Sequence, residues 1–244
     1  MTDAAAPPVR RPPDTEKISR PHVRCLLTDA DGGPAPFVPP VPAPRAAVIY
    51  SSVTGNTRRL AEALTLGHLP LFSVTRQPDT TAYDLLALGF WVRKGLPDAR
   101  AQRCWAGIRA KHIFLFGTLG AWPHSPHASR CLEGARALLT ASGNRIVGEF
   151  LCQGRVSPHV LAASARKGTH PMTEGRAARL AEAARHPDAG DIAAACACWR
   201  AVLAALAPQA VPPALPPLPS RTEHSLIMSA STKPLFPSPF PYGA

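Results

Sequence analysis

The chain has 244 residues and a formal net charge of +11, most of it in residues 46–206, where 19 Lys and Arg face 10 Asp and Glu. These charges form no run that would follow a phosphate backbone, which argues against nucleic-acid binding as the main role. No apolar run reaches 18 residues, and none follows the basic pair Arg10 and Arg11, so we expect a soluble, cytoplasmic protein that binds no membrane.

Proline marks the ends of the folded part. Of 29 prolines, 11 fall in residues 1–45 and 10 in residues 207–244. Proline removes a backbone donor and fixes φ, so such segments cannot form continuous helix or central strand. We predict disordered, proline-rich arms over 1–45 and 207–244, and one domain over 46–206, which is long enough to bury a core.

Strands and helices alternate along the predicted domain. The predicted strands cover residues 46–50, 69–74, 83–90, 111–117 and 144–151. The predicted helices between them cover residues 57–67, 97–110 and 125–143, the second opened by Pro97, while a turn-rich stretch at residues 76–79 joins the second and third strands. Strands joined by helices of this length form parallel sheets with helices on both faces.

The expected fold is therefore α/β, with a doubly wound five-stranded parallel sheet of order 2-1-3-4-5. Its ligand crevice would lie at the carboxyl ends of the first and third strands. Two extra C-terminal helices, over residues 174–185 and 188–206, are expected to pack on the sheet edge or over this crevice.

The loop between the first strand and its helix has the composition of a phosphate site. Hydroxyl groups, an amide and backbone N–H groups at a helix N-terminus would all donate to a phosphate, and Gly55 lets the backbone approach. The loop has no Lys for a γ-phosphate and lacks the three-glycine dinucleotide pattern, so it suits a mononucleotide. We predict binding by Ser51, Ser52, Val53, Thr54, Gly55, Asn56 and Thr57.

This loop is similar to the Ser/Thr-x-Thr-Gly-x-Thr loop of flavodoxins. The resemblance covers roughly residues 46–200 and is to a flavodoxin family of anaerobic bacteria and their relatives. Other matching segments are Tyr83-Asp84, Leu88-Gly89-Phe90-Trp91, Gly117-Thr118-Leu119-Gly120, residues 150–154 and His170-Pro171. It implies a flavodoxin-like fold, FMN as cofactor and electron transfer with a partner oxidoreductase. Some relatives partner flavin or iron–sulfur reductases of tetrapyrroles, such as bilirubin reductase.

Carried over by position, the resemblance puts the flavin ring between two segments. A tryptophan in each could stack on the ring and exclude water. Backbone groups of both segments would bond the polar edge of the flavin and tune its potential. The first segment is Phe90, Trp91, Val92, Arg93, Lys94 and Gly95, and the second is Thr118, Leu119, Gly120, Ala121 and Trp122.

The positive charge departs from the family pattern, because flavodoxins are usually acidic. Arg93 and Lys94 near the ring would favour the reduced, anionic flavin and make its potential less negative. A basic face would also dock an acidic redox partner protein.

Two other functions stay open at this stage. One is a flavin-dependent NAD(P)H reductase of a small acceptor such as a quinone, although no nicotinamide site is recognisable. The other is a degenerate domain without FMN that serves as an interaction subunit. We interpret His124 and His127 as loop or capping residues rather than metal ligands, and Cys152 as a packed thiol.

Overall fold

The computed structural model describes residues 19–26, 44–168 and 171–207. Most of the two proline-rich arms, namely residues 1–18, 27–43 and 208–244, lies outside the described residues, so their disorder stays a prediction. His170, which contributed to the family resemblance, also lies outside them.

One mixed sheet organises the domain. Its strands are β1 (His22–Cys25), β2 (Ala46–Tyr50), β3 (Leu71–Ser73), β4 (Leu85–Arg93), β5 (Leu96–Pro97), β6 (His112–Leu119) and β7 (Arg145–Gln153). The sheet order is β1-β7-β6-β4-β2-β3, with β5 paired to β4. All neighbours from β3 through β7 along this order run parallel. The five predicted strands thus lie in the predicted order 2-1-3-4-5.

The predicted strand number was wrong, because two antiparallel strands join the five. Strand β1 pairs with the outer edge of β7, with His22 opposite Leu151 and Cys25 opposite Gly148. It falls inside the arm that we expected to be disordered. The segment has no buried apolar run, so its strand depends on the edge that β7 offers rather than on local preference.

Strand β5 corrects the predicted start of the following helix. Pro97 pairs with Val92 in a short antiparallel ladder instead of opening the helix. Helix α2 begins one residue after Asp98, whose carboxylate accepts from the backbone N–H groups of Arg100 and Ala101. The N-cap role of aspartate therefore decides where this helix begins.

Helices cover both faces of the sheet. They are α1 (Asn56–Leu64), α2 (Ala99–Trp105), α3 (Pro126–Thr140), α4 (Pro158–Arg166), α5 (Glu174–Ala183) and α6 (Ala189–Leu206). Buried residues of α2 and α3 form one apolar cluster with the sheet, and buried residues of α1 and α6 form another. This is the two-faced arrangement of doubly wound folds.

Helix α6 is apolar enough, over 18 residues, to satisfy a length and composition test for a membrane span. Its buried face instead packs on the sheet in this fold. Trp199 is fully buried there, with its ring centroid 5.2 Å from that of Phe114. The other buried apolar residues of this helix, Ala195, Cys196, Cys198 and Val202, belong to the same cluster. We interpret α6 as a core helix.

A buried ion pair secures the β1 edge of the sheet. Glu149 of β7 is fully buried and bonded by the guanidinium of Arg136 from α3, and His22 of β1 lies 3.9 Å from it. Burial alone would raise the pKa of Glu149, but its bonds to Arg136, together with the nearby His22 ring, hold that pKa below the ordinary value. Sequence analysis gave no sign of this contact.

Candidate functional site

The predicted phosphate loop lies at the carboxyl end of β2, beside the carboxyl end of β4. The Ser51 N–H donates to the carbonyl of Gly89, which fixes the start of the loop against β4. Gly55 precedes α1 with φ of 88°, a left-handed conformation that glycine adopts without strain. Its N–H donates to Ser52 Oγ at 3.2 Å, so the loop curls back on itself before the helix begins.

The N-terminus of α1 has no side-chain cap. Within the described residues, the N–H groups of Asn56, Thr57 and Arg58 have no hydrogen-bond acceptor, and the first helical bond runs from the Arg59 N–H to the Gly55 carbonyl. Side chains do cap α2, α3, α5 and α6. Free N–H groups together with the helix dipole favour an anion at this position.

Two predicted phosphate ligands have hydroxyl groups that bond inside the protein. Thr57 Oγ1 lies 2.9 Å from Thr118 Oγ1 and 3.4 Å from the carbonyl of Phe90. Ser51 Oγ donates to Asp98 at 2.8 Å. Both residues are buried, so they join the loop to the neighbouring strand ends. Thr54 and Val53 are exposed, and Ser52, Gly55 and Asn56 are half-buried.

Two adjoining cavities lie along the carboxyl edge of the sheet, and the smaller one reaches this loop. The smaller, of about 300 Å³, is lined by Val53, Thr54 and Asn56 from the loop and by Trp91 and Thr118 from the strand ends, among others. The larger, of about 510 Å³, extends beyond Trp122 and Lys94. Both cavities share the wall residues Val92, Leu119, Gly120, Val156 and Val160.

The structure brings most of the predicted ring-binding residues to these cavities. Trp91 lines the smaller cavity, whereas Trp122, Ala121 and Lys94 line the larger one. Stacking by either tryptophan stays a prediction. Gly95 lies at the adjacent turn with φ of 81°, where an added Cβ would come 3.5 Å from the His127 ring.

Phe90 and Arg93 line neither cavity, so cofactor binding by these two residues stays a prediction. Phe90 is fully buried, and its ring meets Trp105 edge-on at 5.6 Å. Successive residues of a strand point to opposite faces, so Phe90 enters the core where Trp91 faces the cavity. Arg93 lines a separate groove beside Trp91.

Sequence analysis missed the far wall of the site. The loop after β7 contributes Arg155, Val156 and Ser157, while α4 and α5 contribute further side chains to the larger cavity. Among these, Arg179 has a buried Nε without a hydrogen-bond acceptor in the described residues. The helical pattern beyond Pro158 suggested a cover over the crevice, but no pattern within it marked Arg179.

Asn56 joins the phosphate loop to this far wall. Its side-chain amide donates to the Arg155 carbonyl at 2.9 Å. Gly154 makes room for that contact, since an added Cβ would lie 2.7 Å from Asn56 Nδ2. The Gly154 N–H also donates to the Leu119 carbonyl at 2.9 Å. The Asn56 side chain therefore joins the loops that follow β2 and β7, and the backbone of Gly154 joins the second of these loops to the end of β6.

A group of ionisable side chains lies at the start of α6, close to the loop after β7. His186 Nδ1 lies 2.5 Å from Asp191, which also accepts from the Asp188 N–H. The bond to Asp191 raises the pKa of His186. The ligand atoms of His186, Asp188 and Asp191 lie within 4.8 Å of one another. His186 bonds Asp191, and Asp188 and Asp191 form the capping box of α6. These hydrogen bonds account for the proximity of the three side chains without a metal ion.

The structure also shows the surroundings of Cys152, His124 and His127, the other residues considered from the sequence. Cys152 is fully buried, and burial raises the pKa of its thiol well above the ordinary value, with a smaller effect of Asp191. It is a packed thiol, as interpreted from the sequence. His127 lines the larger cavity, while the ring of His124 faces that of His22 at 5.9 Å.

A family comparison agrees with this geometry. The Flavodoxin domain model matches residues 47–199, which is more than half of the chain. The chain belongs to the flavodoxin family. This confirms the resemblance seen in the phosphate loop and the α/β fold expected from the order of strands and helices.

Two curated flavodoxin relatives share close to a third of their aligned residues with the chain. The flavodoxin-like domain-containing protein BilS of Clostridium symbiosum is 30% identical over 173 residues, 61% of this chain and 90% of the relative. BilS of Clostridioides difficile is 31% identical over 121 residues. That alignment covers 45% of this chain and spans 66% of the relative's length.

Solved flavodoxin structures resemble the chain more distantly. Oxidised flavodoxin 2 from Bacillus cereus is 14% identical, with a TM-score of 0.42, over 65% of this chain and 97% of that one. The WrbA-like flavodoxin of Agrobacterium tumefaciens is 18% identical, with a TM-score of 0.41, over 66% and 96%.

FMN, the cofactor that membership of the flavodoxin family supports, fits the residues present. The uncapped helix N-terminus offers N–H groups to the phosphate, and the cavities beside it provide apolar and aromatic walls for a ring. The larger cavity also presents Lys94 and Arg179 to the polar part of a ligand. This combination of anion site and apolar cleft is the one that a mononucleotide flavin needs.

Proposed function

We propose that the protein binds one FMN and exchanges electrons with a partner oxidoreductase. The observation that carries this proposal is the uncapped N-terminus of α1, which lies at the smaller of the two adjoining cavities. No other described helix combines free N–H groups with a glycine in the left-handed conformation at its N-cap. Bound FMN would supply the redox chemistry, and the protein would position it and exclude water.

The chain's own residues have distinct roles in this proposal. Asn56, Thr57 and Arg58 donate their backbone N–H groups to the phosphate, with Thr54 as a side-chain donor. The Thr57 and Asn56 side chains hold the loop in shape through Thr118 and the Arg155 carbonyl.

Around the ring, Trp91 and Trp122 supply apolar contact area, and Lys94 and Arg179 supply positive charge. A positive group near the flavin's polar edge favours the anionic, reduced form and raises the potential at which it accepts electrons.

The partner in this proposal is an acidic protein. The folded segment carries an excess of basic residues, and opposite fields raise the rate of productive encounter. All six cysteines are free, which suits a reducing compartment such as the cytoplasm.

An absorption spectrum of the purified full chain tests cofactor binding. We expect a yellow protein whose visible and near-ultraviolet bands are those of oxidised flavin, at one FMN per chain. A colourless protein that stays colourless after addition of FMN would overturn the proposal and favour an interaction subunit. Sustained NAD(P)H consumption by the purified protein alone would instead favour a stand-alone reductase.

A further inference from the structure

A groove lined by three arginines adjoins the proposed FMN site. Arg93 at the end of β4 and Arg100 and Arg103 of α2 line a groove of about 350 Å³. Val53 and Trp91 line this groove and also the smaller cofactor cavity. The groove therefore lies directly beside the cleft, separated from it by one valine and one tryptophan.

The described residues do not neutralise the positive charge in this groove. All three arginines are exposed, and none forms a salt bridge or a side-chain hydrogen bond with another described residue. The one carboxylate that lines the groove, on Asp98, is almost fully buried and bonds Ser51 and the α2 N-terminus. Three exposed guanidinium groups thus surround a single carboxylate, whose Oδ1 accepts bonds from Ser51, Arg100 and Ala101.

The centre of the groove is apolar. Val53 is 64% exposed, an unusual position for a large apolar side chain within a ligand-binding loop. Trp91 is half-buried, and its indole N–H has no acceptor among the described residues. Tryptophan and arginine are the residues most enriched at the energetic centres of protein interfaces, and an apolar centre within a polar rim is the usual interface arrangement.

We propose that this groove is the docking surface for an acidic segment of the redox partner. Carboxylates of the partner would pair with Arg93, Arg100 and Arg103, since guanidinium groups bind carboxylates in a bidentate manner. An apolar residue of the partner would contact Val53 and the edge of Trp91. This proposal rests on the proposed function, because docking in the groove would serve electron transfer only if FMN lies in the neighbouring cleft.

Binding of a defined acidic protein tests the docking surface without relying on flavin. The probe is an acidic [2Fe–2S] ferredoxin, titrated into the full chain by calorimetry at about 50 mM salt, where charge contacts are weakly screened. We compare the native chain with the double variant R100Q/R103Q. The matched control is R109Q/R145Q, which removes two exposed arginines at the opposite edge of the sheet.

We expect R100Q/R103Q to weaken ferredoxin binding about tenfold or more, and this loss should become smaller at high salt. The control R109Q/R145Q should change ferredoxin binding less than about twofold. Equal losses in both variants, no loss in either, or no binding to the native chain would overturn the docking surface. The proposal would also be overturned if the native chain bound NADPH, if R100Q/R103Q lost that binding, and if ferredoxin binding stayed unchanged in the variant. The groove would then be a nucleotide site.

A rate measurement separates this inference from the proposed function. Reduced ferredoxin gives one electron to FMN in the loaded protein. Stopped-flow absorption follows the oxidation of ferredoxin and the reduction of FMN. We expect R100Q/R103Q to slow this step about tenfold at low salt, with FMN affinity unchanged. A chain that binds no FMN overturns the proposed function, while the calorimetric result still decides the docking surface.

Discussion

The hydroxyl groups of Thr57 and Thr118 lie 2.9 Å apart in the buried centre of the site. Thr57 is the last residue of the predicted phosphate loop and Thr118 is the penultimate residue of β6, so this contact joins the two parts of the chain that would hold the phosphate and the ring. The two positions are 61 residues apart in sequence, and the bond forms only because β2, β4 and β6 end at the same edge.

Replacing Thr57 with valine is expected to destabilise the fold as well as weaken FMN binding. The change removes a buried hydroxyl that bonds Thr118 and the Phe90 carbonyl, at a cost of about 1–3 kcal/mol in the free energy of unfolding. Urea unfolding measures this cost. T54V is the matched control, because Thr54 is exposed, and it should weaken FMN binding with stability unchanged. Equal stability of T57V and the native chain would contradict the assignment.

Replacing Gly154 with alanine is expected to weaken FMN binding through Asn56. The added Cβ would lie 2.7 Å from Asn56 Nδ2 and displace that side chain from the Arg155 carbonyl. We expect a loss of about tenfold in FMN affinity, or roughly 1.4 kcal/mol, measured by flavin fluorescence. G107A is the control, since an added Cβ there meets no atom within 4 Å. Unchanged affinity in G154A would show that the Asn56 contact is dispensable.

Replacing Arg179 with glutamine is expected to make the potential of the second flavin electron more negative. Its guanidinium lines the larger cavity, and its buried Nε has no acceptor in the part of the chain that the structure describes, so it would favour the anionic reduced flavin. If the guanidinium stabilises the anionic reduced flavin by about 1 kcal/mol, the potential of one electron shifts by roughly 40 mV. Potentiometric titration of the loaded protein measures the shift. R166Q is the control, because Arg166 is exposed at the end of α4 and lines neither cavity.

His186 is expected to make stability depend on pH. The bond to Asp191 raises the pKa of His186 in the folded state, with further support from Glu182 and Asp188. The protonated histidine therefore stabilises the fold below its unfolded pKa of about 6.5, and this contribution is lost as pH rises through the raised folded pKa. Urea unfolding at pH values from below about 6.5 to above the raised folded pKa measures this contribution. The free energy of unfolding should depend less on pH in H186Q than in the native chain. An identical dependence in both proteins would contradict the assignment.

The fold and the position of the loop between β2 and α1 could be predicted from the sequence because both depend on local signals. Apolar strands alternate with helices, and the Thr-Gly-Asn-Thr segment falls at a strand-to-helix turn. The buried role of Thr57 was not predictable in the same way, since its bonding partners come from β4 and β6. A hydroxyl that suits a phosphate also suits a buried contact, and only the tertiary fold distinguishes the two.

The features that were missed all depend on distant contacts. Strand β1 forms because β7 offers an open edge, and Pro97 enters a strand because Val92 lies opposite it. Arg179 looks like any exposed arginine of a polar helix until α5 is placed beside the larger cavity. Periodicity reports which face of an element is buried, but not which other element covers that face.

The most direct test of the account is the dissociation constant of FMN compared with that of riboflavin, measured by fluorescence on the native full chain. The two ligands differ only in the phosphate, so their ratio reports what the N-terminus of α1 contributes. We predict that FMN binds at least about a hundredfold more tightly, or roughly 2.7 kcal/mol, and that T54V reduces the ratio. Equal affinity for FMN and riboflavin would contradict the account.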